Sequence, residues 1–276
     1  MTQLTQEEWL QRIAKAIDAN QLILPSLPEV AIKVRTLTSD GDCDVGVLER
    51  TIAKDAAITA RLIKVAGNAS RMRGKPLTSL RMAITSLGLN LVRSLVTQLA
   101  ILQTMHQYGD SARLKGFVAS SLGISALCQS LAEHHSHLDP EHASLAGLLH
   151  DIGKLPLRDF CRKQPGITPA LAQSLEQSLH PEVGALMLEH WHMDKSLVEV
   201  AREHESMQRE GGTQPDYTDL VITANLVHYG VEKGRYAHLK GKRIPALEKS
   251  LPEILKATLL ESSEQRMAKA LQLILY

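Results

Sequence analysis

The stretch LRMAITSLGLNLVRSLVTQLAIL, residues 80–102, contains two runs of apolar residues on either side of Gly88. The apolar residues of both runs recur every three or four positions: Leu80, Ile84 and Leu87 before the glycine, and Leu91, Leu95, Leu99 and Leu102 after it. Residues at this spacing share one face of an α-helix. The stretch therefore predicts two amphipathic helices that meet at Gly88, each with one buried face.

The rest of the chain shows the same helical period. Helices are predicted over 5–24 and 28–38 and, after a polar segment at 106–116, over 117–134. Aromatic residues make up only 3% of the 276 residues and hydrophobic residues 44%, so the core must consist of Leu, Ile, Val, Ala and Met. This composition favours helices over a β-sandwich, and no segment alternates with the period of a strand. The sequence predicts an all-α fold.

Glycine, proline and helix-capping residues predict where several helices begin and end. Gly67-Asn68 is predicted to end the helix before it. Pro181 is predicted to begin the helix of HPEVGALMLEHW (180–191), because proline is favoured in the first helical turn. The Ser-x-x-Glu and Ser-x-x-Gln patterns at 250–253 and 262–265 are capping boxes, and they predict the starts of the last two helices.

Charge and cysteine content exclude several classes of protein. The 31 Lys and Arg residues balance 30 Asp and Glu residues, which predicts no surface for nucleic acid or an anionic membrane. The three cysteines form no CxxC pair, so neither a disulfide framework nor a zinc ribbon is expected. The N-terminal residues lack a basic segment followed by an apolar one, and polar residues interrupt the longest apolar runs. We expect a cytoplasmic protein.

The segment GLLHDIGKLPL (147–157) places His150 directly before Asp151, where an apolar run meets a glycine. Adjacent side chains on a helix point about 100° apart. The pair can therefore hold one ion only if the helix ends there or the ion lies close to it. His180 and His204 lie near other helix ends or on apolar faces, and ligands from separate helices can build a metal site in a bundle.

Imidazole together with carboxylate suits Fe, Mn, Zn or Co, and a metal-bound water would be a hydrolytic nucleophile. The alternative is structural: Asp151 caps a helix and His150 is a neutral core residue. Four further histidines fall in EHHSHLDPEH (133–142), which we interpret as a solvated loop.

Five segments together resemble the HDOD family, the output-domain relatives of the HD phosphohydrolases. The segments are LPSLPEVAIKV (24–34), IAKDAAITARLIKVAGNA (52–69), TSLRMAITSLGLNLVRSLV (78–96), AGLLHDIGKL (146–155) and HPEVGALMLEHW (180–191). The resemblance covers roughly residues 20–230 and implies two packed helical lobes, the second HD-domain-like. The implied segments are an N-terminal helix (1–19), an N-terminal lobe (20–110), an HD-like lobe (111–235) and C-terminal helices (236–276).

The resemblance also implies a ligand set. The minimal HD site uses a first histidine, a His-Asp doublet and a final aspartate, and dinuclear members add histidines in between. His150 and Asp151 match the doublet, and His180 and His204 match the additional histidines. Glu205 occupies the place of a frequent second histidine.

Two ligands implied by the resemblance are replaced. Ser120 stands where the first histidine is expected, and Asn225 stands where the final aspartate is expected. A serine hydroxyl is a poor ligand for these metals, and asparagine removes a full negative charge. The resemblance therefore predicts metal ligands at His150, Asp151, His180 and His204 only, with reduced affinity.

These losses favour a signal-transduction or regulatory module that is not catalytic and acts by binding a signalling protein or a small ligand. No cofactor is expected beyond a residual divalent Fe, Mn or Zn ion. The alternative is a metal-dependent phosphohydrolase acting on a nucleotide or another phosphoester, in which Lys154 contacts a phosphate oxygen. Lys154 can also be interpreted as a solvated lysine in the last turn of a helix. The oligomeric state and the role of the C-terminal helices stay open.

Overall fold

The computed structural model describes residues 5–19, 22, 24–39, 43–71, 79–108, 111–230 and 235–251. Regular structure in these ranges is helical throughout, with no strand, so the predicted all-α fold is confirmed. The α-helices are α1 Gln6–Asp18, α2 Glu29–Ser39, α3 Val45–Ile52, α4 Ala56–Arg71, α5 Leu80–Leu87, α6 Leu89–His106, α7 Ala112–Ala132, α8 Pro140–Leu149, α9 Lys154–Lys163, α10 Pro169–His190, α11 Lys195–Glu203, α12 Tyr217–Tyr229 and α13 Pro245–Ser250.

The chain divides into two compact units. The larger unit contains the described residues up to Pro25 and those from Ala119 onward, and the smaller unit is Ser26–Val118. The division falls inside α7. The boundaries between the four segments implied by the family resemblance stay predictions.

In the smaller unit, α5 and α6 meet at Gly88, as the leucine pattern predicts. Gly88 has φ +81°, a conformation that favours glycine, and the two helices are bent by 115° there. Of the predicted stripe on α6, Leu99 and Leu102 are buried, but Leu91 and Leu95 are only half-buried, and Val92 and Val96 are fully buried beside them.

The helix α4 of the smaller unit is longer than predicted. The helix predicted to stop at Gly67-Asn68 continues to Arg71, so that prediction is wrong. A single glycine costs a helix interior only about 1 kcal/mol, which burial of residues such as Ala66 and Leu62 offsets.

Within the described residues, no single helix is long and apolar enough to span a membrane, although α5 and α6 pass that test as a bent pair.

In the larger unit, α10 packs against both α9 and α11, and α12 packs against α8 and α11. The predicted helix start at Pro181 is wrong, because α10 begins at Pro169 and includes Pro181 in its interior. Thr168 caps this helix by accepting a hydrogen bond from the Leu171 amide. Burial on two sides stabilises α10 enough to accommodate a proline that usually ends or kinks a helix.

Gly153, in the turn before α9, permits the closest approach of α9 to α10. A Cβ added at Gly153 would lie 2.2 Å from the His180 carbonyl oxygen and 2.4 Å from the Gly184 amide nitrogen. Only glycine fits at this distance, so the glycine of the sequence HDIGK positions the doublet against His180.

The N-terminal helix also belongs to the larger unit. Trp9 and Ile13 of α1 pack with Leu157, Phe160 and Leu179. The described part of the C-terminal region ends with α13, whose last residue is Ser250. The capping box predicted at 250–253 extends beyond the described residues, and the one predicted at 262–265 lies wholly outside them.

Segment 133–142, predicted to be a loop, ends in the first turn of α8, and three of its histidines contact other parts of the larger unit. Each contact uses Nε2: His135 with the Ser250 carbonyl oxygen at 3.3 Å, His137 with the Pro215 carbonyl oxygen at 2.9 Å, and His142 with the Ser196 hydroxyl at 2.8 Å. These histidines therefore tether helix ends, a role that the solvated-loop interpretation did not include.

Candidate metal centre

The His-Asp doublet lies where one helix ends and the next begins. His150 is the C-cap of α8, and Asp151 follows it in the turn that leads into α9. His204 occupies the equivalent C-cap position of α11. Carbonyl groups in the last turn of a helix lack intrahelical partners. They accept a hydrogen bond from Nδ1 of each ring, at 2.7 Å from the Gly147 oxygen to His150 and 2.9 Å from the Ala201 oxygen to His204.

His180 lies in the middle of a helix, yet its Nδ1 also donates to helix carbonyls. The acceptors are the oxygens of Glu176 at 2.8 Å and Gln177 at 3.1 Å. The amide of residue 181 would ordinarily bond the Gln177 carbonyl, but Pro181 has no N–H. The proline therefore frees the acceptor that helps to fix the His180 ring.

Because a carbonyl oxygen only accepts, the proton of each neutral ring lies on Nδ1 and the lone pair on Nε2. The three Nε2 atoms converge on Asp151. Asp151 Oδ1 lies 3.1 Å from His180 Nε2 and 3.3 Å from His204 Nε2, and Oδ2 lies 3.4 Å from His150 Nε2. His180 Nε2 and His204 Nε2 are themselves 3.1 Å apart.

This arrangement fits a metal ion. Two ligand atoms bound at about 2.1 Å to one ion lie roughly 3.0–3.5 Å apart, and the distances among Asp151, His180 and His204 fall in that range. Two imidazole lone pairs and a carboxylate oxygen facing one another repel unless a cation or a shared proton lies between them. Asp151 Oδ1 and His150 Nε2 are buried without a hydrogen-bond partner among the described residues.

Glu205 adds a second carboxylate to this cluster. One ligand atom from each of Asp151, His180, His204 and Glu205 lies within 4.8 Å of the others. Glu205 Oε1 is farther out than the rest, at 3.9 Å from His180 Nε2 and 4.0 Å from His204 Nε2. The family resemblance indicated this position only as one where a second histidine is frequent.

Each carboxylate of the cluster is paired with a basic side chain. Lys154 Nζ donates to Asp151 Oδ2, and Arg235 Nη2 donates to Glu205 Oε1 at 2.9 Å. Lys154 is the first residue of α9 and only 7% exposed, so the interpretation as a solvated lysine in a last turn is wrong. Its predicted phosphate contact stays a prediction. No local signal in the sequence indicated Arg235.

The environment sets the charge states that ligands need. Burial by itself raises the pKa of the Asp151 carboxyl, but the surrounding imidazoles, when they carry a second proton on Nε2, outweigh this effect and hold its pKa well below the ordinary range. Burial lowers the pKa of His180 more than the nearby carboxylate of Asp151 raises it. The centre therefore presents an ionised carboxylate and a neutral imidazole, the forms that bind a metal.

Comparison with known proteins identifies the family. The sequence profile of the HDOD domain family matches residues 24–207 of this chain. The chain belongs to the HDOD family. No curated protein matches the chain in sequence.

Solved structures share the HDOD fold over nearly the whole chain. A "putative metal-dependent phosphohydrolase" from Shewanella amazonensis is 25% identical with a TM-score of 0.72, covering 96% of this chain and 98% of that one. An HDOD domain protein of unknown function from Geobacter sulfurreducens is 20% identical with a TM-score of 0.72, covering 96% and 99%. A "putative signal transduction protein" from Marinobacter aquaeolei is 19% identical with a TM-score of 0.70, covering 98% and 65%.

The two residues that replace HD ligands in this HDOD chain have different surroundings. Ser120, in α7, is half-buried and hydrogen-bonds the Tyr229 hydroxyl. Asn225, in α12, is 1% exposed, and its Oδ1 has no hydrogen-bond partner among the described residues.

Proposed function

We propose that this HDOD chain is a signal-transduction module whose His/Asp centre is not catalytic. The observation that carries the proposal is the pairing of both carboxylates in the centre with basic side chains. Lys154 neutralises Asp151, and Arg235 neutralises Glu205. The negative charges of the two carboxylates are thus balanced within the protein, so a catalytic metal ion with its bound water is not needed to neutralise them.

Burial supports the same conclusion. A catalytic metal site keeps one coordination position open for water or substrate. In this centre His180 and His204 are 0% exposed and Asp151 is 5% exposed. Lys154, the residue that could contact a phosphate, is already engaged by Asp151. The module would act by binding a signalling protein or a small ligand, and its balanced net charge favours a partner other than nucleic acid.

A hydrolysis assay tests this proposal. The full chain, purified without a histidine tag, is assayed against nucleotide and aryl phosphoesters with Mn²⁺, Fe²⁺ or Zn²⁺ added. Asp151→Asn removes the charge of the doublet, and Asp159→Asn is the matched control because Asp159 pairs only with surface cations among the described residues. We expect the same background rate in all three proteins. Turnover that Asp151→Asn abolishes and Asp159→Asn retains would overturn the proposal.

A metal-dependent phosphohydrolase is the second candidate, favoured by the four-residue cluster and by the 25% identical relative from Shewanella amazonensis, which is named for that activity. The double variant Ser120→His with Asn225→Asp restores the ligands that the family resemblance implies. If this variant gains phosphoesterase activity that the natural chain lacks, the natural centre is a modified relic of an enzyme. Equal activity in both proteins would favour the phosphohydrolase.

A further inference from the structure

We propose that Arg235 and a divalent cation compete for the carboxylate of Glu205, which makes Glu205 an exchangeable fourth ligand. In one state the carboxylate pairs with Arg235, and in the other it completes the coordination by Asp151, His180 and His204. The inference goes beyond the proposed function, because it concerns cation binding and holds whether or not the centre is catalytic.

The distances place Glu205 between two partners. Its Oε1 is 2.9 Å from the guanidinium of Arg235, a full ion pair. The same atom is 3.9 Å from His180 Nε2 and 4.0 Å from His204 Nε2. Two ligands on one ion lie roughly 3.0–3.5 Å apart, so Glu205 is just beyond the distance at which it could share an ion with these imidazoles.

Arg235 has other contacts that remain when it releases Glu205. Its guanidinium carbon lies 5.4 Å from the ring centre of Tyr229 and 5.2 Å from that of Tyr236. A guanidinium over an aromatic face is attracted by the negative charge of the ring face. Loss of the carboxylate therefore does not leave the arginine without partners.

A bound divalent ion requires one basic side chain to move away, and solvent exposure selects Arg235, not Lys154. A divalent ion adds two positive charges to a centre in which two carboxylates already face two basic groups. Lys154 is buried, with 9% of its side chain exposed, whereas the side chain of Arg235 is 39% exposed. Of the two carboxylate side chains, that of Glu205 is 29% exposed and that of Asp151 only 7%. The Glu205–Arg235 pair is the one that can rearrange towards solvent at low cost.

The donor set indicates the class of ion. Two imidazole nitrogens and two carboxylate oxygens suit Mn²⁺, Fe²⁺, Co²⁺ or Zn²⁺. Ca²⁺ and Mg²⁺ bind mostly oxygen ligands and would be held less well.

A double-mutant cycle on Mn²⁺ affinity tests the competition. The dissociation constant is measured by titration of the full chain, with free Mn²⁺ followed by electron paramagnetic resonance. We expect Arg235→Gln to bind Mn²⁺ about tenfold more tightly than the natural chain and Glu205→Gln about tenfold more weakly. In the Glu205→Gln background, Arg235→Gln should change the affinity little, because the carboxylate for which both cations compete is gone.

Arg202→Gln is the matched control for the loss of a positive charge, because Arg202 has similar exposure and pairs with Glu182 and Glu189. Arg235→Lys provides a second variant that keeps the charge but loses the planar fork, and its affinity should be intermediate. The proposal is overturned if Arg235→Gln binds no more tightly than Arg202→Gln. It is also overturned if the gain persists in the Glu205→Gln background, or if no variant binds Mn²⁺. These results do not depend on phosphoester turnover, so they are distinct from failure of the proposed function.

Discussion

The orientation of each buried imidazole depends on hydrogen bonding from Nδ1 to one or two helix carbonyls. The carbonyls that bind His150 and His204 are available because a helix ends there. For His180, the Gln177 carbonyl is available because Pro181 lacks an N–H. The consequence is that three Nε2 lone pairs point at Asp151, whose negative charge is balanced by Lys154. Single residues therefore decide both the geometry and the charge of the centre.

The variant Lys154→Met tests the role of this lysine. Removing the ammonium leaves the buried carboxylate of Asp151 without a cation, which costs about 3–5 kcal/mol. We expect the free energy of unfolding, measured with urea, to fall by that amount. Lys163→Met is the control, because Lys163 forms an exposed ion pair with Asp159 worth less than about 1 kcal/mol. Equal, small effects of the two variants would show that Lys154 does not neutralise the centre.

At the scale of helices, the centre depends on how closely the helices approach and how their ends are held. α9 approaches α10 at Gly153, where there is no room for a side chain. α13 is held to the rest of the larger unit by Lys249, which donates to the Glu210 carbonyl oxygen and pairs with the buried Asp219, each at 2.6 Å. Arg209 also binds Asp219, at 3.3 Å.

Gly153→Ala should displace α9 from α10. The added methyl group would meet backbone atoms of His180 and Gly184, which cannot move aside as a flexible side chain can. We expect the free energy of unfolding to fall by about 3 kcal/mol or more. Gly116→Ala, in α7, is the control of opposite sign, because nothing lies within 4 Å of its added Cβ. That substitution should stabilise the helix by up to about 1 kcal/mol. A neutral result for Gly153→Ala would contradict the close approach.

Lys249→Met should loosen α13, because Asp219 would lose one of the two cationic partners that it has in the described part of the chain, while remaining buried. We expect a loss of about 2–3 kcal/mol in the free energy of unfolding and faster amide exchange in α13. The control is Arg243→Met, since Arg243 pairs with Glu210 and Glu248 at exposed positions. Protection of α13 that is the same in both variants would show that Lys249 does not hold the helix.

At the scale of the whole molecule, the His/Asp centre belongs entirely to the larger unit. Trp9 and Trp191, the two tryptophans of the chain, belong to the same unit. Both indoles are buried, and Trp191 Nε1 donates to the Pro25 carbonyl oxygen at 2.6 Å. Tryptophan fluorescence therefore reports on the unit that contains the centre.

A bound cation should stabilise this unit by mass action. With Mn²⁺ at 100 times its dissociation constant, the folded state gains about 2.7 kcal/mol, provided that the unfolded chain does not bind the ion. We expect the tryptophan-detected unfolding temperature to rise in the natural chain and to stay unchanged in Asp151→Asn. A rise of equal size in Asp151→Asn would show that Mn²⁺ acts elsewhere on the protein.

The sequence by itself determined the helices and part of the candidate centre. Helical period and capping are local properties, so α5, α6 and the break at Gly88 could be predicted from spacing alone. The His150-Asp151 doublet and the two later histidines could be identified as candidates from residue type, position near helix ends and family resemblance.

Only the tertiary structure decided how these residues act together. Pro181 lies inside α10 because packing on two sides outweighs a local signal for a helix start. The ion pairs of Lys154 with Asp151 and of Arg235 with Glu205 depend on which helix ends converge, and the latter partners are 30 residues apart in sequence. Long-range electrostatic pairing has no periodic signature along a chain, so it is fixed only when the helices pack.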